Sequence, residues 1–304
     1  MLLAPFREKR RLLRGNLHGH STHSDGALEP AAVIKHYRGL GYDFICLSDH
    51  LWPQQVEHAA QSVLDGRQFN DETFTTVPSA ELHCFGKKYD NYGLWHIVAN
   101  GLPLDFKAAE HSETGPQLVA RAAAAGAFVS IAHPEWHCLR TDEALLLQDA
   151  HAVEIYNHSS AISTGRGSGI AVADILLQEG RRINLTATDD SHFHCNDAGG
   201  GWVMVNAEPD AAAIVAALKA GNYYSSTGVH FKSISVDGAE LTVETTSPVE
   251  HICAVGSGYL CAAAHGPDLT RATLNIAAIE SDWFRITAID TTGRKAWSNP
   301  CWRD

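Results

Sequence analysis

The sequence contains no C-x-x-C pair, and its seven cysteines (Cys46, Cys84, Cys138, Cys195, Cys253, Cys261 and Cys301) are odd in number and irregularly spaced. Neither a disulfide framework nor a cysteine-based zinc module follows from such spacing, so free thiols in a reducing compartment are expected. No run of about eighteen apolar residues is present, which argues against a membrane-spanning helix. Residues 1–14 carry a short apolar start followed by the basic run Arg7-Glu8-Lys9-Arg10-Arg11. A secretory signal needs the reverse order and a longer apolar stretch, so a cytoplasmic location is expected. Positive charge is also scarce: Lys and Arg number 23 against 35 Asp and Glu, for a formal net charge of −12. A nucleic-acid-binding surface usually carries the opposite sign. Buried carboxylates that hold divalent cations are offset by those ions, so the acidity does not bar an anionic substrate from a metal site.

What the sequence has in abundance is histidine, with 18 in 304 residues. Their setting follows from the pattern of the chain. From residue 16 to about 228, short apolar runs alternate with helical segments. Phe44–Leu47, Ala127–Ile131 and Ala152–Tyr156 read as buried strands. Pro30–Arg38, Pro116–Ala125, Ile170–Gln178 and Asp210–Ala220 read as helices, three of them closed by Gly126, Gly180 and Gly221. This alternation predicts an α/β domain with a mainly parallel sheet or barrel. Beyond Gly228 the helical signal fades. Leu241–Thr245, Leu274–Ile276 and Phe284–Ala288 alternate apolar and polar residues between the turn signals Asp237-Gly238, Ser247-Pro248, Gly266-Pro267 and Thr292-Gly293. These predict a small antiparallel β-sandwich-like domain over 229–304, packed on a larger domain over 1–228.

The histidines collect at the ends of predicted strands. In Asn16-Leu17-His18-Gly19-His20-Ser21-Thr22-His23-Ser24-Asp25-Gly26, His18 and His20 lie two apart, on the same side of an extended segment, and can reach one metal ion. Asp25 follows in a turn that Gly26 permits. Ser48-Asp49-His50 ends the next strand, with His50 where a ligand would sit and Asp49 suited to orient a ligating histidine. Glu81 follows a short apolar run and His96 begins one. His133 ends a strand in Ile131-Ala132-His133-Pro134, and Asp190 and His192 lie two apart after Leu185–Thr188. Active-site residues gather at the carboxyl ends of strands in barrels and open α/β sheets. Imidazole and carboxylate donors without thiolate suit Zn, Mn or Fe.

The order H-x-H…S-D-G, S-D-H, lone Glu, H-I-V, A-H-P and D-S-H resembles that of the PHP (polymerase and histidinol phosphatase) superfamily over roughly residues 16–228. The resemblance implies a distorted (β/α)7, TIM-like barrel of the PHP type with two or three divalent metal ions. The implied ligands are His18, His20, Asp25, His50, Glu81, His96, His133, Asp190 and His192, with Glu81 bridging two ions; some members have histidine where Asp25 stands. Val153-Glu154-Ile155-Tyr156-Asn157, Ala187-Thr188-Asp189-Asp190-Ser191-His192, Gly201–Val205 and Gly221–Gly228 resemble the carbaryl-hydrolase-like branch, which often carries a C-terminal β segment.

The expected activity is a phosphoesterase acting on a small organic phosphate, with hydroxide generated at the metal centre as nucleophile. The same centre acting on a carboxyl ester, amide or carbamate is the alternative, and a non-catalytic accessory module is a third reading. His194 is a candidate proton donor, and Arg140 and Arg166 are candidate phosphate-binding residues, although a structural or surface role is preferred for each. Ser21 and Ser24 read as turn hydroxyls. His23 reads as a turn or pocket residue; His83, two after Glu81, could approach the site, although a structural or solvated role is preferred. His36, His58, His111, His151, His230, His251 and His265 read as surface residues. Trp283, Trp297 and Trp302 form either a binding surface or core aromatics. The expected partner is a small-molecule substrate, with neither nucleic acid nor membrane; a homo-oligomer is left open.

Overall fold

The computed structural model describes residues 1–8, 10–52, 60–87 and 93–303; Lys9 and His58 lie outside them. The N-terminal part contains β1 (Leu13–Asn16), α1 (Pro30–Gly39), β2 (Phe44–Leu47), β3 (His50–Leu51), β4 (Thr75–Phe85), β5 (Leu94–Asn100), α2 (Gly115–Ala124) and β6 (Phe128–Ile131). It continues through α3 (Thr141–Ala144), β7 (Ala152–Asn157), α4 (His158–Thr164), α5 (Ile170–Gln178), β8 (Asn184–Thr188), β9 (Trp202–Val205), α6 (Ala211–Lys219) and β10 (Tyr223–Ser226). The remainder is all strand: β11 (Phe231–Asp237), β12 (Glu240–Val255), β13 (Cys261–Asn275), β14 (Trp283–Ile289), β15 (Lys295–Ser298) and β16 (Cys301–Trp302).

The helices start where local chemistry favours it. Thr114 and Gln117 form a reciprocal capping box ahead of α2, and the Asp210 side chain accepts the N–H groups of Ala212 and Ala213 at the start of α6. Both devices satisfy donors that a helix leaves orphaned. Pro30 opens α1, where its missing N–H costs nothing.

The strands form one continuous sheet in the order β11-β12-β14-β15-β10-β9-β1-β2-β4-β5-β6-β7-β8, with β13 on β12, β16 on β14 and β3 on β4. The expectation of mainly parallel pairing is corrected. β1-β2-β4 and β6-β7-β8 are parallel, but β4-β5-β6 and β1-β9-β10 are antiparallel. For β4 and β5 the reason is local: β4 ends at Phe85 and β5 begins at Leu94, a connection shorter than the dozen or more residues a parallel crossover needs; β5-β6 and β9-β10 are antiparallel although α2 and α6 lie between them. The two ends of the N-terminal run are joined beyond the ladders. Ser225 on β10 accepts the Ala187 N–H and donates to Leu185 O, both on β8, at 3.0 and 2.9 Å. Gly19, after β1, forms a parallel bridge with Ser191, after β8.

Two expected turns in the C-terminal segment are also corrected. Ser247-Pro248 lies inside β12 and Gly266-Pro267 inside β13. The ladder between these strands shifts register between Glu244 and Val249 and again before His251, and Asp268 takes φ 54. Proline and glycine here mark bulges, which interrupt a ladder without reversing it.

The sheet runs without a break across residue 228, because β10 pairs with β15. Trp283 and Trp297 are buried in the same core as Val153, Leu176 and Leu185, with Trp302 packed against it, so these tryptophans are core aromatics. Burying one large apolar side chain contributes roughly 1.5–3 kcal/mol. Arg285 on β14 grips Asp174 on α5 through two hydrogen bonds of 2.7 Å. All seven cysteines are free, as expected. Among the described residues no helix is long and apolar enough to cross a membrane.

Candidate metal centre

The chain just past β1, β2 and β8 continues as a miniature ladder that sets the floor of the site. Asp190 N–H donates to His18 O at 2.9 Å and His20 N–H to Ser191 O at 2.8 Å, while Ser48 N–H reaches Gly19 O and Glu81 N–H reaches Ser48 O, each at 2.8 Å. Residues past the carboxyl ends of β1, β2 and β8 and Glu81 within β4 are thereby locked side by side. Asp190 holds φ 56, a left-handed conformation uncommon for a non-glycine residue. Its Oδ2 accepts from Asn157 Nδ2 at 3.1 Å.

Glu81 is the hub. Its buried carboxylate lies 2.8 Å from His50, 3.1 Å from His96 and from His133, 3.5 Å from His18 and from His83, and 3.7 Å from His20. Asp190 Oδ1 lies 3.1 Å from His18 Nε2 and 3.0 Å from His20 Nε2. Asp25 stands 3.3 Å from His50 and 3.5 Å from His192. Four groups bring their donor atoms within 4.8 Å of one another: His20-Asp25-His50-His192, His18-Glu81-His133, His18-His20-Asp190 and His50-Glu81-His83. All nine residues read from the sequence as ligands therefore meet in one cluster.

Several ring orientations are fixed from behind. His18 Nδ1 lies 2.7 Å from Glu154 Oε1, His83 Nδ1–H donates to Trp95 O at 3.2 Å, and His192 Nδ1–H donates to Asp190 O at 2.9 Å. In each case the acceptor holds the proton on Nδ1 and turns the Nε2 lone pair into the cluster, the arrangement seen behind metal-ligating histidines. His18 Nε2 and His20 Nδ1 are buried without a hydrogen-bond partner, although His18 Nε2 has carboxylate oxygens close by. Buried, unpartnered imidazole nitrogens facing carboxylates fit a divalent cation.

The electrostatics agree. Burial and the neighbouring charges of His192 and His50 push His20 down to about 3. Burial also takes His83 to about 3 against the pull of Glu81. For His50, burial favours the neutral ring, but Glu81 and Asp25 overcome it and raise the group to about 10. Burial opposes ionisation of Glu81, Asp25 and Asp190, yet the surrounding histidines hold all three below the usual carboxylate range. Ionised carboxylates and the neutral rings of His20 and His83 are forms that coordinate a cation, whereas His50, raised like His18 and His133 by its carboxylate neighbours, must give up a proton to do so.

Some assignments need correcting. Asp49 does not orient a ligating histidine. Its Oδ1 accepts from Ser21 N at 2.8 Å and Ser24 Oγ at 2.8 Å, and its Oδ2 from Ser21 Oγ at 2.9 Å. It clamps the turn that presents His20 and Asp25, and Ser21 and Ser24 are hydroxyls of that turn. The orienting carboxylate is Glu154, which also accepts from Thr188 Oγ1 at 2.9 Å and His133 N at 2.8 Å. His83 sits inside the cluster. His137, which the strand-end pattern misses, is buried with Nδ1 3.3 Å from His133 Nδ1 and its ring stacked on His96 at 4.9 Å. Its signal was the four-residue spacing His133-Pro134-Glu135-Trp136-His137, one helical turn.

A cavity of about 380 Å³ opens over the cluster, walled by Trp52, Leu94 and Trp136 on one side and Ser159, Ser160 and Ser163 on the other. Arg140 and Arg166 do not line it. Arg140 grips Asp142 at 2.6 and 2.7 Å, and Arg166 Nη1 lies 3.9 Å from Cys138 Sγ. His194 Nε2–H donates to Asp25 O at 2.8 Å, outside the cavity wall. His23 points to Ser62 O at 3.0 Å. His36, His111 and His265 are exposed, and His151, His230 and His251 are half-buried.

No family model and no curated protein matches the chain. Among solved structures, a two-domain protein from Bacteroides vulgatus containing a "predicted PHP-like metal-dependent phosphoesterase" aligns over 98% of this chain and 98% of its own, with TM-score 0.55 and 16% identity. The two share a fold. An amidohydrolase from Chromobacterium violaceum with bound sulfate aligns over 60% of this chain and 89% of its own, at TM-score 0.42 and 14% identity; the fold comparison rests on the first.

Proposed function

We propose that the protein is a metal-dependent hydrolase of the PHP type and that its substrate is a small organic phosphate ester. The observation that carries the reading is the buried Glu81 carboxylate ringed by six histidines between 2.8 and 3.7 Å. An uncompensated anion at this depth is costly, and a polynuclear cation centre is what such donors serve. His18, His20, Asp25, His50, Glu81, His96, His133, Asp190 and His192 would hold two or three ions of Zn, Mn or Fe, with His83 joining them. Such ions supply Lewis acidity, which makes hydroxide accessible near neutral pH and stabilises charge on a phosphoryl or carbonyl oxygen.

The protein's own residues do the rest. Glu154 keeps the His18 proton on Nδ1, and Asp49 holds the His20–Asp25 turn. Trp52 and Trp136 narrow the cavity against water, and the Ser159, Ser160 and Ser163 hydroxyls offer neutral hydrogen bonds to a bound substrate. In this reading residues 1–228 form the hydrolase, a PHP-type barrel, and 229–304 the supporting β domain. The likeness to the carbaryl-hydrolase-like branch rests on sequence motifs alone; two of these contribute Glu154 and Asn157, and Asp189 and Asp190, to the site.

One observation favours the carbonyl alternative: among the described residues the cavity wall carries neither Arg nor Lys. Elemental mass spectrometry of the purified protein, with hydrolysis of aryl phosphate, aryl acetate and aryl carbamate before and after chelation, separates these. Two or more equivalents of metal with chelator-sensitive phosphate release support the phosphoesterase. Metal with release only from the acetate or carbamate transfers the assignment to carbonyl substrates. A protein that takes up no metal on reconstitution overturns both.

A further inference from the structure

A second cavity, of about 550 Å³, lies away from the histidine cluster, in the size range of small-molecule sites. Arg294, Lys295 and His158 line it, together with Tyr156 and Trp297, and among the described residues no aspartate or glutamate does. In a chain of net charge −12, a wall holding two cations and no carboxylate runs against composition. The acids next to lining residues in sequence are engaged elsewhere: Asp197 accepts from His192 N and Phe193 N at 2.8 and 3.1 Å, and Asp290 Oδ1 accepts from Thr292 N, Thr292 Oγ1 and Arg294 N at 2.8 to 2.9 Å. Arg294 is exposed and its side chain lies against Gly228, where a Cβ would meet its Cδ at 2.4 Å. Tyr156 Oη lies 2.9 Å from His158 Nδ1; with the hydroxyl donating, the imidazole proton sits on Nε2 as a third donor. The Tyr156 and Trp297 rings stack at 6.3 Å and 27°, which gives the cavity an aromatic wall.

We propose that this cavity binds a small organic phosphate, at a site separate from the histidine cluster and independent of the reaction catalysed there. Guanidinium, ammonium and imidazole N–H together match a dianionic tetrahedral group, and the volume and aromatic wall take the organic part. The site is placed to influence the cluster. His158 faces this cavity, whereas Ser159, Ser160 and Ser163, further along α4, line the other. The His158 ring lies so close to Gly200 that a Cβ there would meet it at 2.2 Å. Gly199, Gly200 and Gly201 hold the Asp189 carboxylate through their N–H groups, each at 2.8 Å, and Asp189 precedes Asp190. A ligand that shifts His158 presses on the loop that positions Asp190.

The test is calorimetric titration of phenylphosphonate, which has no ester bond to cleave, into the full chain as purified, into Glu81→Gln and into Arg294→Glu/Lys295→Glu, each checked for an unchanged thermal transition. The expected results are binding that persists in Glu81→Gln and stoichiometry one lower in the charge-reversed protein, or affinity weaker by more than about tenfold. Arg294 is exposed and Lys295 half-buried, both outside the histidine cluster, so that comparison stands on the metal-loaded protein even where Glu81→Gln fails to fold. Binding that disappears in folded Glu81→Gln, or is equal with and without the two cations, overturns the site. Inorganic phosphate titrated in parallel is expected to bind at least about tenfold more weakly; equal affinity overturns the organic ligand.

Discussion

Glu154 Oε1 and His18 Nδ1 lie 2.7 Å apart, both wholly buried. This contact decides which nitrogen of His18 is available to the cluster, because the proton shared with Glu154 leaves Nε2 facing Asp190 and Glu81 at 3.1 and 3.5 Å. Glu154 does this while its other oxygen holds the backbone of His133. One carboxylate therefore sets the geometry of two histidines from different strand ends.

Glu154→Gln keeps the shape and removes the charge. The amide must present N–H to at least one of the donors now satisfied, so His18 or the His133 backbone loses its acceptor. Metal affinity is expected to fall about 10–100-fold, the range found for residues behind metal ligands. Competition with a fluorescent chelator measures this. Unaltered affinity would show that the His18 tautomer is set elsewhere.

Asp189 should matter for stability. Its oxygens accept from three successive glycine N–H groups at 2.8 Å and from the Tyr37 hydroxyl at 2.9 Å. In Asp189→Asn the NH₂ faces at least one pair of these donors, leaving about two buried groups unsatisfied at roughly 1–3 kcal/mol each. Urea unfolding should show a loss of unfolding free energy of that size, seen as a lower midpoint, and an unmoved midpoint would mean the glycine loop is not held by this carboxylate.

How far the sequence carried this site depends on the type of interaction. The positions that meet in the cluster were legible because strand periodicity delivers them: His18 and His20 share a face by spacing alone, and His50, His133 and Asp190 follow apolar runs. Glu154 was not, since a glutamate inside Val-Glu-Ile-Tyr-Asn alternates like any strand residue and only the tertiary fold shows what it faces. His83 alternates with Glu81 along β4, but the cross-strand pairing with His96 that brings it to the cluster is non-local. In the C-terminal segment, proline and glycine read the same way in a bulge as in a turn, so β12 and β13 were cut into pieces that the structure joins.

The C-terminal segment is expected to be inseparable from the rest. Ending the chain at residue 228 strips β15 from β10 and removes Trp283 and Trp297 from a shared core. An exposed sheet edge beside vacated apolar surface favours aggregation. The single change Trp283→Ala should cost about 3–5 kcal/mol, read by chemical denaturation. A truncated protein that stays soluble with an undiminished melting temperature would contradict this account.

His151 offers a pH test far from the cluster. Its Nδ1 accepts the Val129 N–H at 3.1 Å, and burial, then the charge of Lys219, lower its pKa in the folded protein. The unfolded chain has the ordinary value near 6.5, so it binds this proton more readily than the native state. The sign follows from linkage: the contribution of His151 is complete above about pH 6.5 and is lost as pH falls below it. His151→Leu removes that term together with the hydrogen bond. Wild type should therefore lose melting temperature more steeply than the variant between about pH 6.5 and 5, narrowing the gap between them toward the acid side. The other titrating groups are common to both proteins and cancel in the difference. Parallel curves across that window would mean that the folded protein protonates His151 as easily as the unfolded chain does.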